Sequence, residues 1–488
     1  MASSGLAHTA NGAVTNASSL DACVDLFFLA GASRGKDITA PFALAYKQDK
    51  EVTGRMLLWL RDVLEGSGER EQFRKLFQYL IYNDLETARR ILRKIPDKGI
   101  GRWDDVLVAF GTPLQDEAVK MILEALEAGD ALCAKWMPRR RKGKNTKNDM
   151  VSILAKAMNP DLRPYNAQEK KYRKVLSSLS TTVEQQMCAR EWTKINYNHV
   201  PSKAAQVHRK AFARNDSTRY QEYLDSLVKQ DGTAKVNAKA TFPHDVMLMA
   251  LDSSYRGEPR SWSVTRDKNS LVLAEAQWKA LPDFIGDSSE KILPMVDVSA
   301  SMMTSISGST AKIMEIAVAL GMYIADHNKG QFAGEVITFT NSPSYFKFPG
   351  GLEANLKALK GIPVGYNTNF IAAFDLILNT AIRNNLSQED LPTKILALSD
   401  MEFDNCGSST NFETIKRKFE QAGYKMPQMV FWNLNGRVGN SPVTVRDSNT
   451  ALVSGFSPSI LTAIMKGAED LSPRNVMMDK LLVDRYNF

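Results

Sequence analysis

Leu293-Pro-Met-Val-Asp-Val-Ser-Ala-Ser-Met302 is an apolar run that ends in an Asp-x-Ser-x-Ser pattern, with Asp297, Ser299 and Ser301 as its polar positions. A buried strand that delivers one carboxylate and two hydroxyls into the loop at its tip makes a cation site. Mg²⁺ takes hard oxygen ligands in a near-octahedral shell and keeps several waters, so few carboxylates are required. Asp and Ser are also ordinary turn residues. The pattern therefore acquires meaning only from the chain around it.

That surrounding pattern sets the class of the C-terminal half. After the turn-rich linker Pro282–Ser289, Lys291–Val296 reads as a strand and Thr310–Asn328 as a helix carrying Ile313, Ile316, Ala317, Leu320 and Ile324. Strands follow at Gly334–Thr340 and Ser344–Phe348, then a helix over Phe370–Ile382 and a strand over Lys394–Leu398. A helix over Phe412–Ala422 and strands at Gln428–Trp432 and Ala451–Ser454 complete the set. Near-continuous apolar strands alternating with helices predict a mainly parallel, doubly wound sheet. Ligands of such sheets collect outside the carboxyl ends of the strands. Asp297-x-Ser299-x-Ser301 converges there with Gly365-Tyr-Asn-Thr368-Asn-Phe370 and with Leu396-Ala-Leu-Ser-Asp400.

Upstream, residues 20–281 read as helical. Val52, Met56, Trp59, Leu60 and Val63 share one helix face; Phe73, Leu76, Phe77, Leu80 and Ile81 form a second stripe, and Ala88, Ile91, Leu92 and Ile95 a third. Short amphipathic helices joined by short polar turns predict a stacked HEAT-like array, without a strict sequence period. Residues 1–19 are small and polar and are expected to be a flexible tail. Residues 471–488 are expected to form a terminal helix that packs back.

At 488 residues, 44% of them hydrophobic and 24% charged, the composition is that of a soluble globular chain. No apolar run approaches the length needed to span a bilayer, so no membrane association is expected. Cys23, Cys133, Cys188 and Cys406 are scattered, which suits a reducing, cytoplasmic setting better than a disulfide framework. Gly31-Ala-Ser-Arg-Gly-Lys36 has three residues between its glycines rather than the four of a phosphate-binding loop, and Asp37 stands where Ser or Thr belongs. Nucleotide binding is therefore not expected there. Nothing in the sequence supplies an activated base beside Ser299 or Ser301, and no catalytic role is expected.

Charge is concentrated. Residues 135–214 hold 19 Lys and Arg against five Asp and Glu, an excess of 14 in a chain whose total is only +8. Local clustering of this kind suits a polyanion, because affinity for phosphate chains is largely electrostatic. The alternative is a solvated helical surface with a basic loop. Candidate phosphate contacts are Arg139, Arg140, Arg141, Lys142, Lys144 and Lys147 in the exposed loop, then Lys170, Lys171, Arg173 and Lys174 beside Tyr165 and Tyr172. Those rings are either stacking platforms for bases or half-buried core. Ser202 reads as a helix N-cap that places Lys203, His208 and Arg209 on the first two turns, where free N–H groups suit a phosphate.

Asp from a first strand, a loop Thr and Asp from a later strand tip, in this order, resemble the metal-ion-dependent adhesion site of a von Willebrand factor A domain. Asp297, Ser299, Ser301, Thr368 and Asp400 match its positions one for one. That domain after a helical half with a basic centre resembles the Ro ribonucleoprotein autoantigen family, in which a TROVE module precedes the A domain. Trp59-Leu-Arg-Asp-Val63, Gly66-Ser-Gly-Glu-Arg70 and Gly101-Arg-Trp-Asp-Asp105 also resemble a sister family of the same layout. The resemblance implies an A domain over about 290–470 with Mg²⁺ or another divalent cation. It further implies helices closed into a ring, and binding of small structured or misfolded RNA. A metal-dependent protein-interaction module, whose partner offers a carboxylate to the cation, is the alternative.

Overall fold

The computed structural model describes residues 5–140, 146–252, 256–288, 290–329, 331–340, 342–365, 369–404, 410–466 and 471–488. The side chains of residues 98, 146–148, 165 and 339 lie outside the described set. Arg141, Lys142, Lys144 and Thr368, and the side chain of Lys147, lie outside this description.

Strands β1 (Leu6–His8) and β2 (Val14–Asn16) form an antiparallel ribbon. The other six strands form one sheet. They are β3 (Ile292–Asp297), β4 (Glu335–Phe339), β5 (Ser344–Lys347), β6 (Lys394–Ser399), β7 (Gln428–Asn433) and β8 (Thr450–Ser454), in the order β5-β4-β3-β6-β7-β8. All its pairings are parallel except β4 with the edge strand β5. β3, β6 and β8 are buried along their whole length, which is why they read as unbroken apolar runs rather than as alternating strands. β3 lies between β4 and β6, so the chain reverses its direction of travel across the sheet there. The carboxyl ends of β3 and β6 are the switch point of this sheet.

Helix Ile313–His327 joins β3 to β4 and begins with a capping box, in which the Lys312 N–H donates to Glu315 Oε2 at 2.8 Å. Its residues from Ile313 to Ala325 are all buried, wider than the single stripe seen in the sequence. The cause is a second partner: the helix lies between the sheet and helix Pro243–Ala250 of the N-terminal half. A Cβ on Gly321 would meet Val296 Cγ2 at 2.5 Å, so glycine permits the close approach of helix to β3.

The N-terminal half is helical from Ala22–Ala30 to Lys268–Lys279, with most helices packed on a sequence neighbour. Both of its ends rest on the sheet domain. Helix Ala22–Ala30 packs on β8 and on helix Pro473–Leu481, while Pro243–Ala250 and Lys268–Lys279 pack on Ile313–His327 and Leu352–Ala358. The C-terminal segment then returns to helix Lys50–Arg61. Arg485 donates to both carboxylate oxygens of Asp62, the Tyr486 hydroxyl donates to Asp62 Oδ2 at 3.1 Å, and the Phe488 ring covers Gly54.

Residues 1–19 were expected to fray. From residue 5 onward they do not: Asn16 pairs with Ser441 through both backbone groups, and Ala13 and Thr15 are buried. The reason is a partner more than 400 residues away that the local pattern of the tail does not reveal.

Two of the motifs of the helical half, Trp59–Val63 and Gly101–Asp105, meet in one ion-pair hub. Trp59 packs on Phe27 with ring centroids 4.6 Å apart. Asp105 is fully buried and accepts from Arg61 Nε at 2.7 Å, Arg74 Nε at 2.6 Å and the Arg102 N–H at 2.9 Å. Removing one member of such a pair strands the other charge out of water. Asp105→Ala is therefore expected to destabilise the chain by about 3–5 kcal/mol, read as a lowered urea midpoint.

A second joint is pH-sensitive. His244 is buried against Phe242 and Phe456, its Nδ1 without a hydrogen-bond partner among the described residues. Burial pulls its pKa down to about 4, aided by the cations of Arg34 and Lys203 and opposed by Asp245. The folded state thus binds this proton less readily than the unfolded chain. Its stabilising effect is complete above pH 6.5 and is lost as pH falls towards 4, by roughly 3 kcal/mol. A His244→Phe variant should lose less stability than wild type between pH 7 and pH 4.5 in thermal melts; equal losses would remove His244 from the account.

Candidate metal centre and basic face

Asp297 is the last residue of β3, and β3 and β6 run parallel with Val296 opposite Leu398. That register sets Ser399 beside Asp297 and carries Asp400 one residue past the edge. Asp297, Ser299, Ser399 and Asp400 are all at most 1% exposed. Ser301, on the short 3₁₀ turn Ala300–Met303, is half-buried and marks the open side.

The hydrogen bonds orient this set. Asp297 Oδ1 accepts from the Ser299 N–H at 2.9 Å and Oδ2 from the Ser399 hydroxyl at 2.6 Å. The Ser299 and Ser301 hydroxyl oxygens are 3.1 Å apart. Asp400 Oδ1 accepts from the Glu402 N–H at 3.3 Å, whereas Oδ2 has no hydrogen-bond partner among the described residues. Burial raises the Asp297 pKa, and the neighbouring Asp400 raises it further. Burial likewise raises Asp400, with Glu402 adding to the effect. Two carboxylates pressed together out of water, one with a bare oxygen, with two hydroxyls alongside, form a hard-oxygen donor set that fits Mg²⁺. No group of three or more His, Cys, Asp and Glu among the described residues could hold a metal ion by itself, so a cation here would need the Ser299 and Ser301 hydroxyls besides the two carboxylates.

Sequence reasoning overlooked two members. Ser399 fixes Asp297, and its place follows from counting the register of two adjacent parallel strands that both end in the site. Glu402 is 2% exposed and lies beside Asp400; its carboxylate takes Arg437 Nε at 3.2 Å and Asn440 Nδ2 at 3.3 Å. Asn440 also donates to the Met401 carbonyl at 3.0 Å. Only the distant loop 437–440 explains these contacts.

The candidate phosphate contacts separate into two groups. Arg139 is turned inward and caps the end of helix Ala131–Trp136, donating to the carbonyls of Ala134 and Lys135 and to Ser180 Oγ. Arg140 pairs with Glu169 and donates to Ser152 Oγ. Lys203 pairs with Asp245 at 2.6 Å, His208 lies 3.8 Å from Glu184, and Arg209 Nε reaches Ser270 Oγ at 2.5 Å. Lys170, Lys171, Arg173 and Lys174 differ: all four are exposed on helix Tyr165–Leu179 and make no ion pair among the described residues. Exposed Lys156, Lys210 and Arg214, in the same basic region, were not singled out and also make none.

One expectation here needs correction, and one alternative is settled. Ser202 is not the N-cap of its helix; Pro201 is, because the Pro201–Asn237 bridge draws the Ser202 hydroxyl onto the Asn237 carbonyl. Tyr172 is core and no stacking platform: it is 1% exposed and its hydroxyl donates to the Pro138 carbonyl at 3.1 Å.

A helical half joined to a mostly parallel sheet with a carboxylate–hydroxyl site at its switch point defines the class of architecture. The chain belongs to the family described as a domain of unknown function (DUF2828), which matches residues 9–111 and 110–290. A second domain of unknown function (DUF7788) matches residues 291–481, the sheet half. The chain is 29% identical over 530 residues to the uncharacterized protein L728 of Acanthamoeba polyphaga mimivirus, covering 98% of this chain and 87% of that protein. Among solved structures, the Ro (RSR) protein of Deinococcus radiodurans matches with a TM-score of 0.48 and 12% identity, over 92% of this chain and 99% of that one.

Proposed function

We propose that this chain is a non-catalytic RNA-binding protein. Its helical half holds RNA by the backbone, and its sheet domain is an A domain whose divalent cation, Mg²⁺ by preference, ties the strand tips or receives a partner. The observation that carries this reading is the row Lys170, Lys171, Arg173 and Lys174, exposed without ion pairs among the described residues on a helix whose other side is anchored by Tyr172 and Leu176. Several other cations of the basic region are engaged, as Lys203 is by Asp245 and Arg140 by Glu169, whereas exposed Lys156, Lys210 and Arg214 extend the unpaired surface. Unpaired charge on an anchored helix is a surface for phosphates, giving affinity with little base specificity. The resemblance of the motifs to the Ro family points the same way and suggests small structured or misfolded RNA. A cytoplasmic setting accords with the free thiols of Cys23, Cys133 and Cys188.

The test is a titration of an RNA carrying a stem and a single-stranded end, at several salt concentrations. Tight binding at low salt with a steep salt dependence is expected; weak binding at low salt would end the reading. A second reading, a metal-dependent protein-interaction module, is favoured by the half-exposed Ser301 at the mouth of a buried site. A protein partner captured by wild type and lost with Asp297→Ala and Asp400→Ala, from a chain indifferent to RNA, would select it.

A further inference from the structure

The Asp400 loop is held from outside the sheet domain. Thr9 Oγ1 donates to the Phe403 carbonyl at 2.7 Å, Asn11 Nδ2 donates to the Glu402 carbonyl at 2.7 Å, and the Ala10 N–H donates to Glu402 Oε2. Gly12 bridges to Asp404. Behind the ribbon, Thr15 Oγ1 approaches Asn440 Oδ1 at 3.0 Å, and Asn440 in turn holds Met401 and Glu402. The loop needs such restraint. Met401 is buried with φ of +63°, a left-handed conformation that a side chain adopts at a cost, and it stands between the buried acids Asp400 and Glu402. Within the loop, Ser399 Oγ accepts from the Met401 N–H at 3.0 Å while donating to Asp297.

Resting on the cation reading given above, we propose that Thr9, Ala10 and Asn11 are positioning residues of the cation site. The ribbon holds the Asp400–Asp404 loop at Glu402 and Phe403, and the cation would hold it at Asp400. Each therefore stabilises the loop geometry that the other requires, and their binding is linked. The ribbon pins the Glu402 carboxylate at the Ala10 N–H, which leaves Asp400 to face the site. By linkage, whatever factor the docked ribbon contributes to cation affinity, the cation returns to ribbon docking.

The experiment uses the full chain with Thr9→Val and Asn11→Ala together, and separately Ala10→Pro. The second variant deletes one donor at the second position of the Thr9–Gly12 turn, where proline is accommodated. Mg²⁺ affinity is read from the dependence of melting temperature on Mg²⁺ concentration, and amide exchange of residues 9–16 is followed with and without Mg²⁺. Both variants are expected to bind Mg²⁺ at least tenfold more weakly, with Thr9→Ser retaining most of the affinity. In wild type, Mg²⁺ is expected to slow exchange at Ala10 and Ala13. Variants that melt lower yet keep wild-type Mg²⁺ affinity would overturn the proposal while leaving the cation site intact. A wild-type chain with no Mg²⁺ response would overturn both.

Discussion

Asp400→Asn is expected to raise the melting temperature of the cation-free protein and to abolish its stabilisation by Mg²⁺. Asp297 and Asp400 are buried side by side, and burial raises the pKa of both. Near neutral pH the cation-free site must therefore either hold a proton or tolerate two like charges out of water. Asn keeps the shape and removes one charge, so the cation-free variant gains. It also loses the ligand, so it no longer responds. For wild type, a cation at a hundred times its dissociation constant stabilises by about 2.7 kcal/mol, which a thermal-shift titration resolves readily. The sign with pH is fixed as well. A raised carboxylate must release its proton before a cation can bind, so Mg²⁺ affinity should weaken as pH falls. A variant that kept the full Mg²⁺ response would show that Asp400 is no ligand.

Replacing Lys170, Lys171, Arg173 and Lys174 together by Gln is the second large effect. Each phosphate contact on a single strand contributes roughly 0.7 to the slope of log affinity against log salt. Losing four should flatten that slope by roughly 3, which at 0.1 M salt corresponds to a loss of roughly 10²–10³-fold in affinity. Melting temperature should barely move, because these side chains make no ion pair among the described residues and stand in solvent. Lys203→Gln serves as the comparison: its ammonium is engaged by Asp245, so its effect on RNA should be several-fold at most. Equal affinities for wild type and the fourfold variant would remove this helix as the contact.

The sheet half was legible residue by residue because its signals are local. Buried parallel strands read as apolar runs, their helices as stripes, and Asp297 and Asp400 as polar residues at the ends of both. What escaped were contacts made across long stretches of chain. Ser399 is recognisable only from the register of β3 against β6, and Glu402 only from the loop 437–440 and the ribbon. The ribbon looked like a tail because its partners, Phe403 and Ser441, lie near the other end of the sequence. In the basic region the sequence counted charges but not their neighbours. Arg139 turned inward to helix carbonyls and Arg209 to Ser270, while Lys170, Lys171, Arg173 and Lys174 remained on the surface.

The separation of 392 residues between Ala10 and Glu402 also sets a timetable. A ribosome adding 5–20 residues per second leaves the first strands without their seat for roughly 20–80 s. The helix Ala22–Ala30 waits longer still for β8 and for the segment that ends in Phe488. The earliest-made part of the nascent chain is thus among the last to be fully covered: Trp59 can meet Phe27 early, but the side of the helix that packs on β8 stays open meanwhile. Holding that face until synthesis ends is a task for a chaperone, and nascent-chain crosslinks should concentrate there.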